Sequence, residues 1–390
     1  MKLFVLLPRI PYPLEKGDKL RAFHQIQHLS KSHEIYLCAL SDTEIHPQAQ
    51  EVLSRFCKEI RFIKLSKTGI IFNVVAFGLR GLPLQCGYFY QKSAQRKITE
   101  YIQECQPDHI YAQLIRVGEY VKKTPIEKTL DYQDVLSKGI FRRIDFSGFW
   151  MRCILKTEYR RLLRYEKNIA PYFDHKTIIT AVDRELLPVT DKTSVQIVPN
   201  GVDFNTFKKN NSHKQFDLIL SGNMSYPPNV LAARFLAHEV LPKIWKHRPQ
   251  TSLVLCGANP CAEVKALANK NIFVTGWVTE ISDYYGQSEI FIAPMQIGTG
   301  LQNKILEAMA MQLPCVCSSL AAKPLLNLNP QQHLKICETA EDYAETVLEW
   351  LENPSLANNF GEAGYHYVKS NYSWEKSNEL LEAVISDVLS

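Results

Sequence analysis

The sequence predicts an α/β protein made of two doubly wound domains. Short apolar segments that are typical of buried strands alternate with helical patterns along the whole chain. The alternation restarts after the turn signal Pro199-Asn200-Gly201, and 390 residues exceed the usual size of a single hydrophobic core. We therefore expect two parallel sheets in series, each with helices on both faces.

The strands of the first domain are predicted from apolar runs near residues 2–7, 33–40, 60–65, 108–112, 127–131 and 176–181. A helix begins after Gly17-Asp18, because apolar residues then recur at helical spacing. The second domain starts with a strand at Phe216. Its further strands are expected near residues 251–257, 271–275, 288–293 and 314–318.

The domain boundary is predicted between Asn200 and Gln215. This gives a first domain of residues 1–203 and a second domain of residues 204–372, both expected to resemble a Rossmann fold. Residues 373–390 form a helical pattern with no strand after it. We expect this last helix to cross back to the first domain.

The charge and the cysteines exclude several kinds of protein. A net charge of +5 is mild and gives no reason to expect a nucleic-acid partner. Ten cysteines are scattered along the chain, several of them in apolar runs, which favours buried free thiols. No Asp-x-Asp follows a predicted strand, and no cysteine or histidine pairs stand at zinc spacing. We therefore predict no metal ion, no disulfide framework and no cofactor.

The apolar segments are too short for a membrane span. The first one, from Leu3 to Leu7, stops at Pro8 and is too short for a signal peptide. The longest one, residues 69–79, cannot cross a bilayer. We expect a cytoplasmic protein that can contact the inner face of the cytoplasmic membrane.

The segment Gly298-Thr299-Gly300 is the strongest indication of a binding site. It follows the apolar run 289–294, and a helix is predicted to begin near Asn303. Lys304 and Glu307 are three residues apart and share a helix face. A cation, glycine amides and a helix N-terminus together suit a diphosphate, and the carboxylate can accept hydrogen bonds from ribose hydroxyls. The alternative is an ordinary ion pair between Lys304 and Glu307.

Three motifs in the second half resemble those of retaining GT-B glycosyltransferases of group 1, family four. They are Asn-Gly-Val-Asp at 200–203, Gly276 after a strand, and Leu-Glu-Ala-Met-Ala at 306–310. Further motifs resemble the bacterial sugar transferases associated with exopolysaccharide and exosortase gene clusters. These stand at residues 9–13, 16–21, 222–229 and 302–304. The resemblance covers nearly the whole chain.

The resemblance implies two GT-B domains that face each other across a cleft, with the acceptor in the first and a nucleotide-sugar donor in the second. The implied activity is transfer of a sugar from a nucleotide diphosphate sugar to a hydroxyl, with retention of configuration and without a metal. The implied acceptor is a saccharide or a lipid-linked molecule in cell-surface glycan or exopolysaccharide synthesis. Two alternatives stay open: a nucleotide-sugar 2-epimerase of the same fold, and a non-catalytic subunit of a glycan-assembly complex.

The chain departs from the family pattern at three places. Thr299 stands where the family has the first of two donor glutamates, and Gln113 stands where it often has a histidine. Residues 225–229 replace the usual arginine and lysine, so Lys304 is expected to supply positive charge.

The candidate site residues follow from these motifs. Gly17 permits close approach of a diphosphate or is a plain loop glycine, and Asp18 contacts the acceptor or caps its helix. Asp131 and Asp134 end a strand, where a carboxylate can orient the acceptor or cap a loop. We select Asp134 and Gln113 as catalytic candidates. The donor-binding candidates are Gly17, Asp18, Gly222, Asn223, Gly276, Trp277, Gly298, Thr299, Gly300, Asn303, Lys304 and Glu307.

A basic segment of the first domain suggests contact with a membrane surface. Between Lys138 and Lys167 lie nine Lys or Arg and three Asp or Glu, and residues 152–164 form a basic amphipathic helix pattern. The apolar stretch 70–79 and the aromatic residues at 87–90 favour the same interpretation. The alternative is a solvated helix face packed on its own domain.

Overall fold

The computed structural model describes residues 1–14, 16–144, 147–210, 212–298 and 300–386. The chain forms two compact units. The first contains Met1–Pro199 and Trp374–Ser390, and the second contains Asn200–Ser373.

The first unit contains a parallel sheet of seven strands in the order β3-β2-β1-β4-β5-β6-β7. The strands are β1 (Lys2–Leu7), β2 (Glu34–Ser41), β3 (Glu59–Lys64), β4 (His109–Gln113), β5 (Glu127–Asp131), β6 (His175–Ile178) and β7 (Val195–Ile197). The strand order reverses at β1, so a crevice is expected at the carboxyl ends of β1 and β4. The predicted strands of this domain are confirmed, and β7 is an additional short strand.

Helices and tight turns connect these strands. The helices are α1 (Gly17–Leu29), α2 (Ala49–Ser54), α3 (Lys67–Leu79), α4 (Leu84–Phe89), α5 (Lys92–Cys105), α6 (Gly118–Val121), α7 (Leu136–Arg143), α8 (Phe149–Ile169) and α9 (Ala181–Leu186). Two 3-10 turns lie at Ile115–Val117 and Ala170–Tyr172. The basic amphipathic pattern at 152–164 belongs to α8, as the sequence predicts.

The second unit contains a parallel sheet of six strands in the order β10-β9-β8-β11-β12-β13. The strands are β8 (Phe216–Ser221), β9 (Leu253–Cys256), β10 (Ile272–Gly276), β11 (Ser288–Ala293), β12 (Cys315–Cys317) and β13 (Lys335–Ile336). Here the order reverses at β8, between β9 and β11. The carboxyl ends of β8 and β11 therefore border the expected ligand crevice of this unit.

The helices of the second unit cover its sheet. They are α10 (Pro227–Phe235), α11 (Leu241–Trp245), α12 (Ala262–Lys265), α13 (Ile281–Gly286), α14 (Asn303–Ala310), α15 (Ser319–Ala322), α16 (Ala340–Glu352) and α17 (Pro354–Asn371), with a π-helical turn at Leu236–Val240. The central strands β8, β9 and β11 are almost wholly buried, because helices exclude water from both faces of a parallel sheet.

The last helix, α18 (Trp374–Ser386), packs on α1 of the first unit. Asn378 donates a hydrogen bond to the carbonyl of His24 at 3.0 Å, and the His24 ring stacks on Trp374 with 4.5 Å between ring centroids. These contacts explain why the end of the chain belongs to the first unit although its sequence neighbours belong to the second.

Two observations on the described residues concern membranes and metals. None of the helices that the structure describes combines the length and hydropathy needed to cross a bilayer. Within the described ranges, no group of three or more His, Cys, Asp or Glu side chains is arranged to hold a metal ion. The cysteines are free thiols, and most of them are buried.

Candidate functional site

The helix α14 lies beside the carboxyl end of the central strand β11. Its apolar side chains, including Leu306 and Met309, are buried against the sheet. Asn303, Lys304 and Glu307 lie on the other side of the helix and are only partly buried. The amphipathic spacing of this segment therefore directs its charged side chains towards the crevice at the sheet edge.

Lys304 connects α14 to α10. Its Nζ donates a hydrogen bond to Oδ1 of Asn229 at 2.5 Å and lies 3.6 Å from Sδ of Met295. Asn229 in turn donates to the carbonyl of Asn223 at 2.9 Å. Burial lowers the pKa of Lys304 to about 8, although the charge of Glu307 opposes this shift. The site thus holds a cation whose charge is incompletely compensated, as an anionic ligand would require.

Glu307 is held by a tyrosine. Oη of Tyr285 donates to Oε2 of Glu307 at 3.0 Å, and Tyr285 also shares a hydrogen bond of 2.7 Å with Oγ of Ser221. Burial raises the pKa of Glu307 to about 6, against the effects of Tyr285 and Lys304. In the described part of the chain, Oε1 of Glu307 accepts no hydrogen bond. That oxygen is suited to accept from a ligand hydroxyl.

Lys304 and Glu307 do not hydrogen-bond to each other as a simple surface pair would. The ammonium group donates to Asn229, and the carboxylate accepts from Tyr285. Each group is therefore positioned by a residue from a different element, α10 or α13. Such positioning is typical of a site that is preorganised for a ligand.

Glycines allow the loops at the carboxyl ends of β8 and β9 to approach closely. Gly222 has φ +140°, and a Cβ there would lie 2.6 Å from Nδ2 of Asn229. Gly257 has φ +143°, and a Cβ there would lie 2.0 Å from the carbonyl oxygen of Gly222. A side chain at Gly222 would displace Asn229, which holds Lys304, and a side chain at Gly257 would displace Gly222 itself.

The other donor candidates lie at the same sheet edge or beside it. Oδ1 of Asn303 accepts from Asn200 at 3.3 Å, and Oδ1 of Asn223 accepts from the amide of Ser225 at 3.0 Å. Trp277 directly follows β10 and is 70% exposed. Gly276, Gly298 and Gly300 have positive φ angles. Thr299 lies outside the described residues.

The first-unit candidates Gly17, Asp18 and Gln113 lie together at the carboxyl ends of β1 and β4. The carboxylate of Asp18 pairs with Nη1 of Arg9 at 2.5 Å, and Nε2 of Gln113 donates to the carbonyl of Asp18 at 3.3 Å. The N-cap of α1 is Lys16, so the hypothesis that Asp18 caps this helix is wrong. A Cβ added at Gly17 would have no neighbour within 4 Å, so the space beside it is open.

The two aspartates after β5 have different environments. Asp131 is fully buried and accepts from Arg21, Tyr111 and Thr177 at 2.7–3.2 Å. These bonds occupy both carboxylate oxygens, which makes Asp131 a structural residue. Oδ1 of Asp134 is buried and has no hydrogen-bond partner among the described residues. Burial raises the pKa of Asp134 to about 6 while Arg116 opposes the shift, so Asp134 is the carboxylate that remains available.

The sequence did not identify several residues that build the site. Asn229 lies within the 222–229 motif, and that motif was the sequence signal that could have identified Asn229 as a site residue. Tyr285, Ser221 and Gly257 carry no comparable signal, because their contribution depends on which strands become neighbours in the sheet.

Comparison with known proteins relates the second unit to a family of enzymes. Residues 215–353 match the family model described as glycosyl transferases group 1. The matched residues lie within the second unit. Over nearly its whole length the chain is also 23% identical to an uncharacterized 44.6 kDa protein in the cps region of Klebsiella pneumoniae, with 96% of this chain and 97% of that protein covered.

Solved structures resemble the chain over its full length. Sucrose-phosphate synthase from Thermosynechococcus elongatus aligns with a TM-score of 0.72 at 12% identity, covering 100% of this chain and 99% of the other. HepE of Anabaena, in complex with UDP, aligns with a TM-score of 0.72 at 13% identity, covering 99% and 100%. A glycosyltransferase from Rickettsia africae gives 0.66 at 14% identity, covering 100% and 99%. The predicted GT-B fold class is confirmed.

Proposed function

We propose that this chain is a retaining glycosyltransferase that moves a sugar from a nucleotide diphosphate sugar to a hydroxyl acceptor. The observation that carries the proposal is the pair Lys304 and Glu307 at the start of α14, held by Asn229 and Tyr285. Similarity to HepE, whose structures contain UDP or UDP-glucose, supports the choice of donor. The relative from a cps region supports a role in exopolysaccharide or other cell-surface glycan synthesis.

In this proposal the second unit binds the donor. Glu307 accepts hydrogen bonds from ribose hydroxyls, and the exposed Trp277 lies near the base beside Gly276. Lys304, the N-terminus of α14 and backbone amides near Gly298 and Gly300 stabilise the diphosphate. These groups act without a metal ion, because they supply the positive potential that the leaving diphosphate requires.

The first unit binds the acceptor, and the reaction proceeds on one face of the sugar. The bond between the anomeric carbon and the diphosphate oxygen breaks while a bond to the acceptor oxygen forms on the same face. The acceptor proton passes to the departing phosphate oxygen, so no protein base is required. Asp134 and Gln113 position the acceptor, and Gly17 and Asp18 remain candidates for contact with the donor diphosphate. The acceptor is a saccharide or a lipid-linked molecule, and the reaction occurs in the cytoplasm at the inner face of the membrane.

Nucleotide binding and product analysis test this function. We expect calorimetric titration with UDP or GDP to give saturable binding of one molecule per chain. With a donor chosen by thermal-shift screening, NMR should then detect an α-linked product from an α-linked donor. Absence of binding to any nucleoside diphosphate would contradict the proposal. Conversion of the donor to its 2-epimer without an acceptor would identify an epimerase instead.

Donor turnover is expected to persist in EDTA, since Lys304 and backbone amides supply the positive charge at the diphosphate. The measurement is release of nucleoside diphosphate before and after dialysis against EDTA. Loss of activity that Mn²⁺ restores would contradict the prediction and would indicate a carboxylate site that binds the metal together with the donor.

Affinity for a nucleoside diphosphate should decrease as the pH rises through about 8, the pKa of Lys304 in the free protein. Above pH 8 most of the lysine is neutral, and the protonated fraction of Lys304 falls roughly tenfold with each further pH unit. Calorimetry between pH 7 and pH 9.5 measures the effect. Lys304→Met serves as the control, since its weaker binding should vary little over this range. A wild-type affinity that stays constant would show that Lys304 does not contact the phosphates.

A further inference from the structure

The helix α3 exposes an apolar face that nothing in its own unit covers. No charged residue lies between Lys67 and Arg80 at its two ends. A helix that is apolar on every side is normally buried on every side. In α3 only Phe77 is fully buried, whereas Leu79 is 86% exposed and Phe72 is 72% exposed. The exposed face of α3 consists of Ile71, Phe72, Val75 and Leu79.

The first two turns of α8 expose a second apolar area. Met151 and Ile154 precede the buried residues Leu155 and Glu158 by four positions each, so they continue the same buried stripe. Both are nevertheless about half exposed. Trp150 beside them is 81% exposed. The start of α8 therefore extends beyond the body of the domain with its apolar stripe uncovered.

A hydrogen bond joins the two helices that carry these apolar areas. Nη2 of Arg161 on α8 donates to the carbonyl of Gly78, the residue before Leu79, at 2.8 Å. Trp150 and Ile154 lie eleven and seven positions before Arg161, spacings that place all three on one stripe of α8. We call the exposed face of α3 together with the start of α8 the apolar ridge.

On the two helices of the apolar ridge, the exposed charged side chains are all positive. Residues 67–91 contain no carboxylate. The two carboxylates of α8 are buried: Glu158 accepts from the backbone amides of Leu84 and Gln85, and Glu166 bonds to Ser137. The solvent-facing charges of α8 are therefore all positive. They are Arg152, Lys156, Arg160, Arg164 and Lys167.

We propose that the apolar ridge docks the first unit onto an anionic bilayer. Exposed Trp, Phe and Leu side chains beside a helix whose exposed charges are all positive match the acyl boundary and the phosphate layer of such a membrane. A second copy of the chain fits this surface poorly, because a symmetric contact would bring the basic side chains of α8 close to their own copies. The docking proposal relies on the proposed function for one point only, namely that docking gives access to a lipid-linked acceptor.

Vesicle binding by the full chain tests the docking surface without any substrate. Vesicles of phosphatidylcholine alone are compared with vesicles that contain equal parts of phosphatidylglycerol, at low and high salt. We expect binding to the anionic vesicles, weakened by salt because only the electrostatic part is screened. Phe72→Ser/Leu79→Ser should lower the partition coefficient roughly tenfold or more at either salt concentration. Arg160→Glu/Arg164→Glu should lower it by a similar factor at low salt only.

The control variants carry the same kinds of substitution at exposed positions outside the apolar ridge. Leu380→Ser alters another exposed apolar residue of the first unit, and Lys265→Glu/Lys270→Glu reverses two exposed lysines of the second unit. Neither should change vesicle binding. Brominated acyl chains should quench tryptophan fluorescence, and Trp150→Phe should remove most of this quenching without abolishing binding.

Three results would overturn the proposal: no binding to anionic vesicles, binding that Phe72→Ser/Leu79→Ser leaves unchanged, or a dimer in ultracentrifugation that this double variant dissociates. Nucleoside diphosphate titration of the same variants separates the two proposals. Unchanged nucleotide affinity with lost vesicle binding supports docking through the ridge. Vesicle binding by a chain that binds no nucleotide would contradict the proposed function alone.

Discussion

Glu307→Ala is expected to lower the affinity for a nucleoside diphosphate about 100-fold while the fold survives. Two hydrogen bonds from ribose hydroxyls to a carboxylate are worth roughly 1.5–3 kcal/mol each, of which part is recovered by water in the variant. The remaining Tyr285 hydroxyl still has Ser221 as a partner at 2.7 Å, so the change leaves no isolated polar group in the core. Calorimetric titration with UDP and GDP measures the loss.

A surface carboxylate provides the matched control. Glu345 lies on α16 and is exposed, so Glu345→Ala should bind nucleotide like the wild type. Tyr285→Phe keeps the carboxylate of Glu307 but removes the hydrogen bond that orients it, and it should have an intermediate effect. Wild-type affinity in a folded Glu307→Ala variant would remove Glu307 from the donor site.

The strands could be predicted because parallel sheets leave a strong sequence signal. Both faces of β1 and β8 are covered by helices, so each strand is a short continuous apolar run. The short strands β7 and β13, with three and two residues, were not predicted, because such lengths show no periodicity. The strand order itself depends on contacts between residues far apart in the sequence.

The donor site could be predicted only in part. The local motif brings Lys304 and Glu307 to one side of a helix, which spacing alone predicts. Their partners Asn229 and Tyr285 come from α10 and α13, and only the folded sheet brings these helices together. Burial in the folded unit causes the pKa shifts of Lys304 and Glu307, and the hydrogen bond from Tyr285 opposes the shift of Glu307.

Asp131 shows why a strand-end carboxylate cannot be assigned a role from its position. Asp131 is the last residue of β5 and Asp134 follows three residues later, yet Arg21 from α1 hydrogen-bonds only to Asp131. Burial disfavours the charge of Arg21, but Asp131 and its hydrogen bonds raise the pKa of Arg21 above the ordinary value. Tyr111 and Thr177 complete the shell around the carboxylate at 2.8 and 2.9 Å.

Asp131→Ala should therefore destabilise the first unit by about 3–5 kcal/mol, because it removes the carboxylate that pairs with the buried guanidinium of Arg21. Urea unfolding followed by circular dichroism measures the change in the free energy of unfolding. The exposed pair of Glu51 and Arg55, at 3.3 Å, is the matched control. Glu51→Ala removes an ion pair in solvent and should cost less than about 1 kcal/mol.

The double variant Arg21→Met/Asp131→Leu tests the physical cause of that loss. Replacing both charges with apolar side chains removes the buried cation together with its carboxylate, so much of the stability lost in Asp131→Ala should return. Because the second unit binds the nucleotide in our proposal, nucleoside diphosphate affinity should stay unchanged in every one of these variants. Transfer activity per folded molecule should also persist in Asp131→Asn, which retains the size of the side chain. Loss of that activity in a stable Asp131→Asn variant would show instead that the carboxylate of Asp131 acts on the acceptor.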